Sequence, residues 1–75
     1  MHIVQAGDRE YLERTGRRIV ELRRERGLRQ RDLAHAAGIT QASMSHYERG
    51  QRSVTLVTIA AIARRLGVSV SQLAD

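Results

Sequence analysis

The stretch Gln30–Arg49, QRDLAHAAGITQASMSHYER, limits what this chain can become more than any other. Its apolar residues are Leu33, Ala37, Ile39, Met44 and Tyr47. At the helical period this spacing predicts two short helices, over Gln30–Ala37 and Gln41–Arg49, with a buried seam between them. Gly38 falls where the first must stop, and glycine adopts the left-handed conformation that such an ending uses. Thr40 then caps the second, since its hydroxyl can accept from a backbone N–H left unpaired in the first turn. Small Ala34 suits a close crossing of the two helices. The pattern is a helix-turn-helix with its seam inward, and the rest of the chain must supply the cover.

The outer face of the second helix carries the chemical information. With Gln41 set at zero and about 100° per residue, Ser45 lies near 40°, Arg49 near 80°, Ala42 near 100° and His46 near 140°. Met44, Tyr47 and Glu48 fall on the opposite side. The outward face is therefore small and hydrogen-bonding, with neither Glu nor Lys, the usual solvating residues. A protruding helix with Gln, Ser, His and Arg suits the major groove of duplex DNA, where base edges offer paired donors and acceptors.

Composition bounds the remainder. Seventy-five residues make one domain, near the lower limit for a single core. Phe, Trp, Pro and Cys are absent, so the core must be Leu, Ile, Val, Ala and Met, as in an all-α bundle. Without cysteine there is no disulfide and no thiolate metal site, in keeping with a cytoplasmic or nucleoid location. No apolar run approaches a membrane span, and Met1–Gly7 is no signal peptide. The net charge of +5 comes from thirteen arginines with no lysine, and a basic balance favours a nucleic-acid partner. Most of the excess lies before residue 30, so the motif itself is nearly neutral.

In chain order, residues 1–7 form a flexible tail, with a DNA-touching arm or a strand pairing with a second copy as alternatives. Asp8 caps a first helix reaching Glu25, whose stripe Leu12, Thr15, Ile19 and Leu22 faces the core; Gly27 ends it. Four pairs follow, Leu28/Leu33, Ile39/Met44, Val54/Ile59 and Val68/Leu73, each spaced as a hydrophobic staple across a helix start. The matching caps are Arg29 (a poor one), Thr40, Thr55 and Ser69, and Ser69 with Gln72 makes a capping box. A fourth helix over Leu56–Leu66 turns Leu56, Ile59, Ala60, Ile62, Ala63 and Leu66 inward, and a fifth over Val70–Ala74 closes a compact five-helix bundle spanning 8–75. Apolar residues of the last two helices, with Val57 and Val68, offer a self-complementary patch.

The segment GLRQRDLAHAAGITQASMSHYERGQRS, followed by LGVSVSQLAD, resembles the phage-repressor (Xre-type, Cro-like) helix-turn-helix family of transcriptional regulators. The resemblance covers residues 15 to 74 and implies a lambda-repressor-like DNA-binding domain. By position it implies that Gln41, Ala42 and His46 read bases, with Ser45 beside them, and that Gln30 holds a phosphate and braces the first reader. It also implies an internal ion pair between Arg23 and Glu48. In this fold class the loop after the reading helix follows the sugar-phosphate backbone, so Arg49, Arg52 and Ser53 position rather than specify. Thr40 and Ser43 are counted with them. Arg29 departs from the Ser, Thr or Asn usual at its position, which weakens the cap and adds a phosphate-reaching charge.

Catalysis finds no support. Ser43 and His46 share a helix face, but no acid orients the imidazole and the chain has no room for a buried cleft. His2, His35 and His46 lack metal-ligand spacing, and the scattered glycines form no phosphate-cradling loop. The expectation is a sequence-specific regulator of double-stranded DNA, homodimeric on a palindromic operator and acting as repressor or autoregulator, without cofactor or metal. The alternative is a protein-interaction module that docks a partner on the same helix.

Overall fold

A computed structural model describes residues 6–74 as five helices: α1 (Ala6–Glu25), α2 (Gln30–Ala37), α3 (Gln41–Glu48), α4 (Leu56–Leu66) and α5 (Val70–Ala74). No strand occurs among the described residues. Each helix sends one large side chain to the centre. Ile19, Leu33, Met44, Ile62 and Leu73 are all at most 1% exposed, and Ala34 and Ala63 let α2 and α4 approach closely. The central cluster is aliphatic with one methionine, and Tyr47 is the buried aromatic beside it.

The staples lock the helix starts. Leu28, Ile39, Val54 and Val68 pack half-buried against the core that their partners Leu33, Met44, Ile59 and Leu73 help to form. Thr40 Oγ1 accepts from the Ser43 backbone N–H at 3.0 Å, and Thr55 Oγ1 from that of Thr58 at 3.2 Å. At α5 the box is reciprocal: Ser69 Oγ accepts from the Gln72 N–H at 3.2 Å, and Gln72 Oε1 from the Ser69 N–H at 2.7 Å. Each such cap contributes about 1 kcal/mol.

Arg29 has no acceptor with which to cap α2, and the structure solves this from the other end. Asp32 Oδ2 accepts from the Arg29 backbone N–H at 3.0 Å and from its Nε at 3.0 Å. These bonds from Arg29 hold the Asp32 carboxyl below the usual carboxylate range. Because the folded-state pKa is lowered, the support is complete above about pH 4, the unfolded value, and is lost as pH falls through the folded one. Melting of Asp32→Asn against the parent should therefore show a deficit at neutral pH that closes in acid; a deficit independent of pH would contradict this.

Three expectations are corrected. α1 begins at Ala6, so Asp8 lies in its first turn rather than at its cap; of the tail expected over 1–7, Met1–Gln5 lies outside the described residues. Helix α3 ends at Glu48, with Arg49 as its C-cap. Leu56 is 75% exposed rather than turned inward. Val54, arriving ahead of the cap, fills the core side of that first turn, and Leu56 is left on the rim of a shallow apolar recess with Tyr11, Val70 and Ala74.

The crossing of α1 over the end of α3 is unusually close, and two glycines permit it. A Cβ on Gly16, in the middle of α1, would meet the carbonyl oxygens of Glu48 and, at 2.6 Å, Tyr47. Gly50, just beyond α3, has φ +70°, and a Cβ there would stand 2.7 Å from the Glu13 backbone. Backbone therefore lies almost directly on backbone where α3 ends.

Candidate nucleic-acid interface

Helix α3 is held by one side and free on the other. Met44, Tyr47 and Glu48 face inward at 0%, 8% and 8% exposure. Gln41 and Ala42 are exposed, Ser43, Ser45 and His46 half-buried, and Arg49, Arg52 and Ser53 exposed beyond the helix end. His46 is more enclosed than the wheel suggests: its Nδ1 is buried and finds no partner among the described residues. Any outward contact it makes must come from the other edge of the ring.

The inner anchor is an ion pair. Arg23 donates from Nε to Glu48 Oε2 at 2.7 Å and from Nη2 to Oε1 at 3.1 Å, while its Nη1 reaches the Leu28 carbonyl at 3.0 Å. Two charges this deep are tolerated because the fork-to-fork geometry satisfies both. From Glu48 the hydrogen bonds continue outward. Gln30 donates from Nε2 to Glu48 Oε1 at 2.9 Å, and Gln41 donates from Nε2 to Gln30 Oε1 at 3.3 Å. A buried pair is thus wired, through the first residue of α2, to the first residue of α3.

Around that face the polar groups hold one another. Arg52 Nη1 donates to Ser43 Oγ at 3.3 Å, and Thr40 Oγ1 donates to the same oxygen at 3.0 Å. Arg49 donates to Ser45 Oγ and, at 3.1 Å, to Gln51 Oε1. Arg29 is engaged by Asp32 instead of reaching outward, because that carboxylate is its nearest acceptor. The fold also brings in a residue that the sequence does not single out. Arg9, forty residues or more from the loop, lines with Arg49, Arg52 and Ser53 a cleft of about 400 Å³ between α1 and the segment after α3. No local signal marks Arg9, since only the α1–α3 crossing brings it there.

Among the described residues no group of His, Asp and Glu is disposed to hold a metal ion, and no helix is long and apolar enough to cross a membrane. What the surface offers is a polar ridge flanked by guanidinium groups.

Residues 19–73 match the family described as helix-turn-helix (HTH_3). An uncharacterized HTH-type transcriptional regulator, y4dJ of Sinorhizobium fredii, is 41% identical over 54 residues, 72% of this chain and 70% of its own length. The HTH-type transcriptional regulator DdrOP3 of Deinococcus deserti is 41% identical over 58 residues, 77% of this chain, which spans only 45% of that protein. Among solved structures, the restriction-modification controller protein C.AhdI from Aeromonas hydrophila superposes with a TM-score of 0.79 at 39% identity, covering 83% of this chain and 94% of that one. Such proteins work by binding and not by catalysis. With its five helices, its anchored α3 and this match over most of its length, the chain belongs to the Xre-like helix-turn-helix (HTH_3) family of DNA-binding transcriptional regulators.

Proposed function

We propose that this regulator binds double-stranded DNA sequence-specifically, as a homodimer on a palindromic operator, and represses the promoter it covers, its own included. Helix α3 enters the major groove, with Gln41, Ala42, Ser45 and His46 toward base edges. Gln30, Thr40, Ser43, Arg49, Arg52 and Ser53 meet phosphates on either side. The observation that carries this reading is the outward stance of Gln41 and Ala42 on a helix whose opposite side is clamped by Met44, Tyr47 and Glu48. A rod fixed on one face and polar on the other matches groove width and base-edge chemistry. Dimerisation is supported by arithmetic: one short helix discriminates too few base pairs for a genome, and two copies a helical turn apart square that discrimination. Val57 and Leu56, 81% and 75% exposed, add an apolar patch for a second copy. The setting is the cytoplasm, on the chromosome.

Selection from random duplexes tests the whole reading. An inverted repeat should be enriched; a pool that stays random, or capture that does not weaken between about 50 and 200 mM salt, would point to a protein partner instead. Within the selected site, Gln41→Ala should relax one base preference at a cost of roughly 1–3 kcal/mol, and unchanged selectivity removes it from the readers. Arg52→Ala should weaken binding evenly across sequences and lower the salt slope by about one, and an unaltered slope removes it from the phosphate contacts.

A further inference from the structure

We propose that the Arg23–Glu48 ion pair, besides holding the fold, dictates which base Gln41 accepts, by fixing the direction of the hydrogen-bond chain that ends on its amide. The inference rests on Gln41 being a base reader.

A carboxylate clasped by a guanidinium can only accept. Glu48 takes both of its Arg23 bonds and a third, from Gln30 Nε2 at 2.9 Å. Gln30 must therefore turn its NH2 group inward, because the reverse orientation would press its carbonyl oxygen against the carboxylate. Its own oxygen is left pointing at the start of α3, where it too can only accept, and it takes a hydrogen from Gln41 Nε2 at 3.3 Å. The order runs one way from a buried charge to an exposed amide. Nothing in it can flip without breaking the contact to Glu48, which is only 8% exposed.

The outcome at Gln41 is specific. One of its two N–H groups is spent on Gln30, so the amide has one donor and one acceptor left to offer, in a set order. Adenine shows that complement in the major groove, an N7 acceptor beside an N6 donor. Guanine shows two adjacent acceptors, N7 and O6, and would call for both N–H groups. An amide released from Gln30 regains its second N–H and loses the reason to prefer adenine. Glu48 is then a positioning residue for base choice, acting through Gln30, with Arg23 as the fixture that keeps it charged and still.

The test measures binding of the full chain to duplexes that differ only at the base pair whose preference Gln41→Ala abolishes. In the parent, adenine should exceed guanine there by roughly tenfold. Glu48→Gln keeps size and shape but removes the acceptor-only rule. It should cut that ratio severalfold and leave discrimination at every other base pair unchanged. Should Glu48→Gln fail to fold, Arg23→Met/Glu48→Gln removes both charges together, strands neither, and should give the same loss at the same position. An unchanged adenine-to-guanine ratio in any of these folded variants overturns the proposal, as does an even fall in affinity across all positions, which is what a purely structural role would produce. If Gln41→Ala alters no preference, base reading by Gln41 fails first and the inference with it, an outcome distinct from the others.

Discussion

Replacing Glu48 with alanine should cost the fold about 3–5 kcal/mol, most of the margin available to so small a domain. The figure is not the worth of a salt bridge. A paired Arg and Glu in a protein interior do little better than hydrophobic residues of equal volume, because desolvation offsets their attraction. The cost lies in what Glu48→Ala leaves behind. The Arg23 side chain is 11% exposed, and among the described residues its Nε and Nη2 have no acceptor but Glu48, so the variant strands a guanidinium and frees the Gln30 amide at once. For a domain of this size, 1 kcal/mol moves the melting temperature by about 4–8 °C, so the midpoint should fall by on the order of 20 °C. Arg23→Met/Glu48→Met should recover most of the loss, since no charge is then left unpaired. A single variant melting with the parent, or a double variant no better than the single, would show that the pair is not the buried anchor described above.

The second large effect is expected at Gly50. Gly27→Ala and Gly50→Ala both force a side chain onto a left-handed backbone, at φ +66° and +70°, a strain of about 1–2 kcal/mol. They differ in what surrounds them. At Gly27 the added methyl meets nothing within 4 Å, whereas at Gly50 it would stand 2.7 Å from the Cα and N of Glu13. Backbone cannot swing aside as a side-chain tip can, so α1 must back away from the end of α3, a cost of about 1–3 kcal/mol more. Gly50→Ala should lose about 2–5 kcal/mol in denaturant titrations and Gly27→Ala only the strain. Equal losses would mean that the α1–α3 contact yields freely. Gly16→Ala gives a check of sign: in an ordinary helix interior the change stabilises by about 0.5–1 kcal/mol, but here the methyl would meet the carbonyl oxygens of Glu48 and Tyr47, and the variant should be less stable than the parent.

Helices α2, α4 and α5 begin and end where their caps and staples predict, because those signals are local. An apolar residue ahead of the cap with a second one five residues on marks a helix start whatever lies across the core, and at α4 and α5 a threonine or serine cap reinforces it. The start of α1 was missed for the same reason, since Ala6 and Gly7 carry no capping chemistry. Periodicity turns Leu56 inward because it reports which side of a helix is apolar and not how far its neighbours reach along it. Asp32 rescues the poor cap at Arg29 from inside the helix, where a search for capping residues ahead of α2 does not reach. Gly16 and Arg9 carry no local signal of their roles, because both depend on the approach of α1 to the end of α3.

What the chain of letters determined alone is an all-helical domain of five segments, a tight turn between the second and third, and a third helix with one apolar and one polar side. These follow from periods and caps spanning fewer than a dozen residues, and local chemistry is enough to specify them. The tertiary structure decided how close α1 lies to the end of α3 and which charges are buried. It also decided that residues 23, 48, 30 and 41 join in a single directed line of hydrogen bonds. Those depend on distances between segments far apart in the chain, which no period encodes, and they hold the polar face of α3 still.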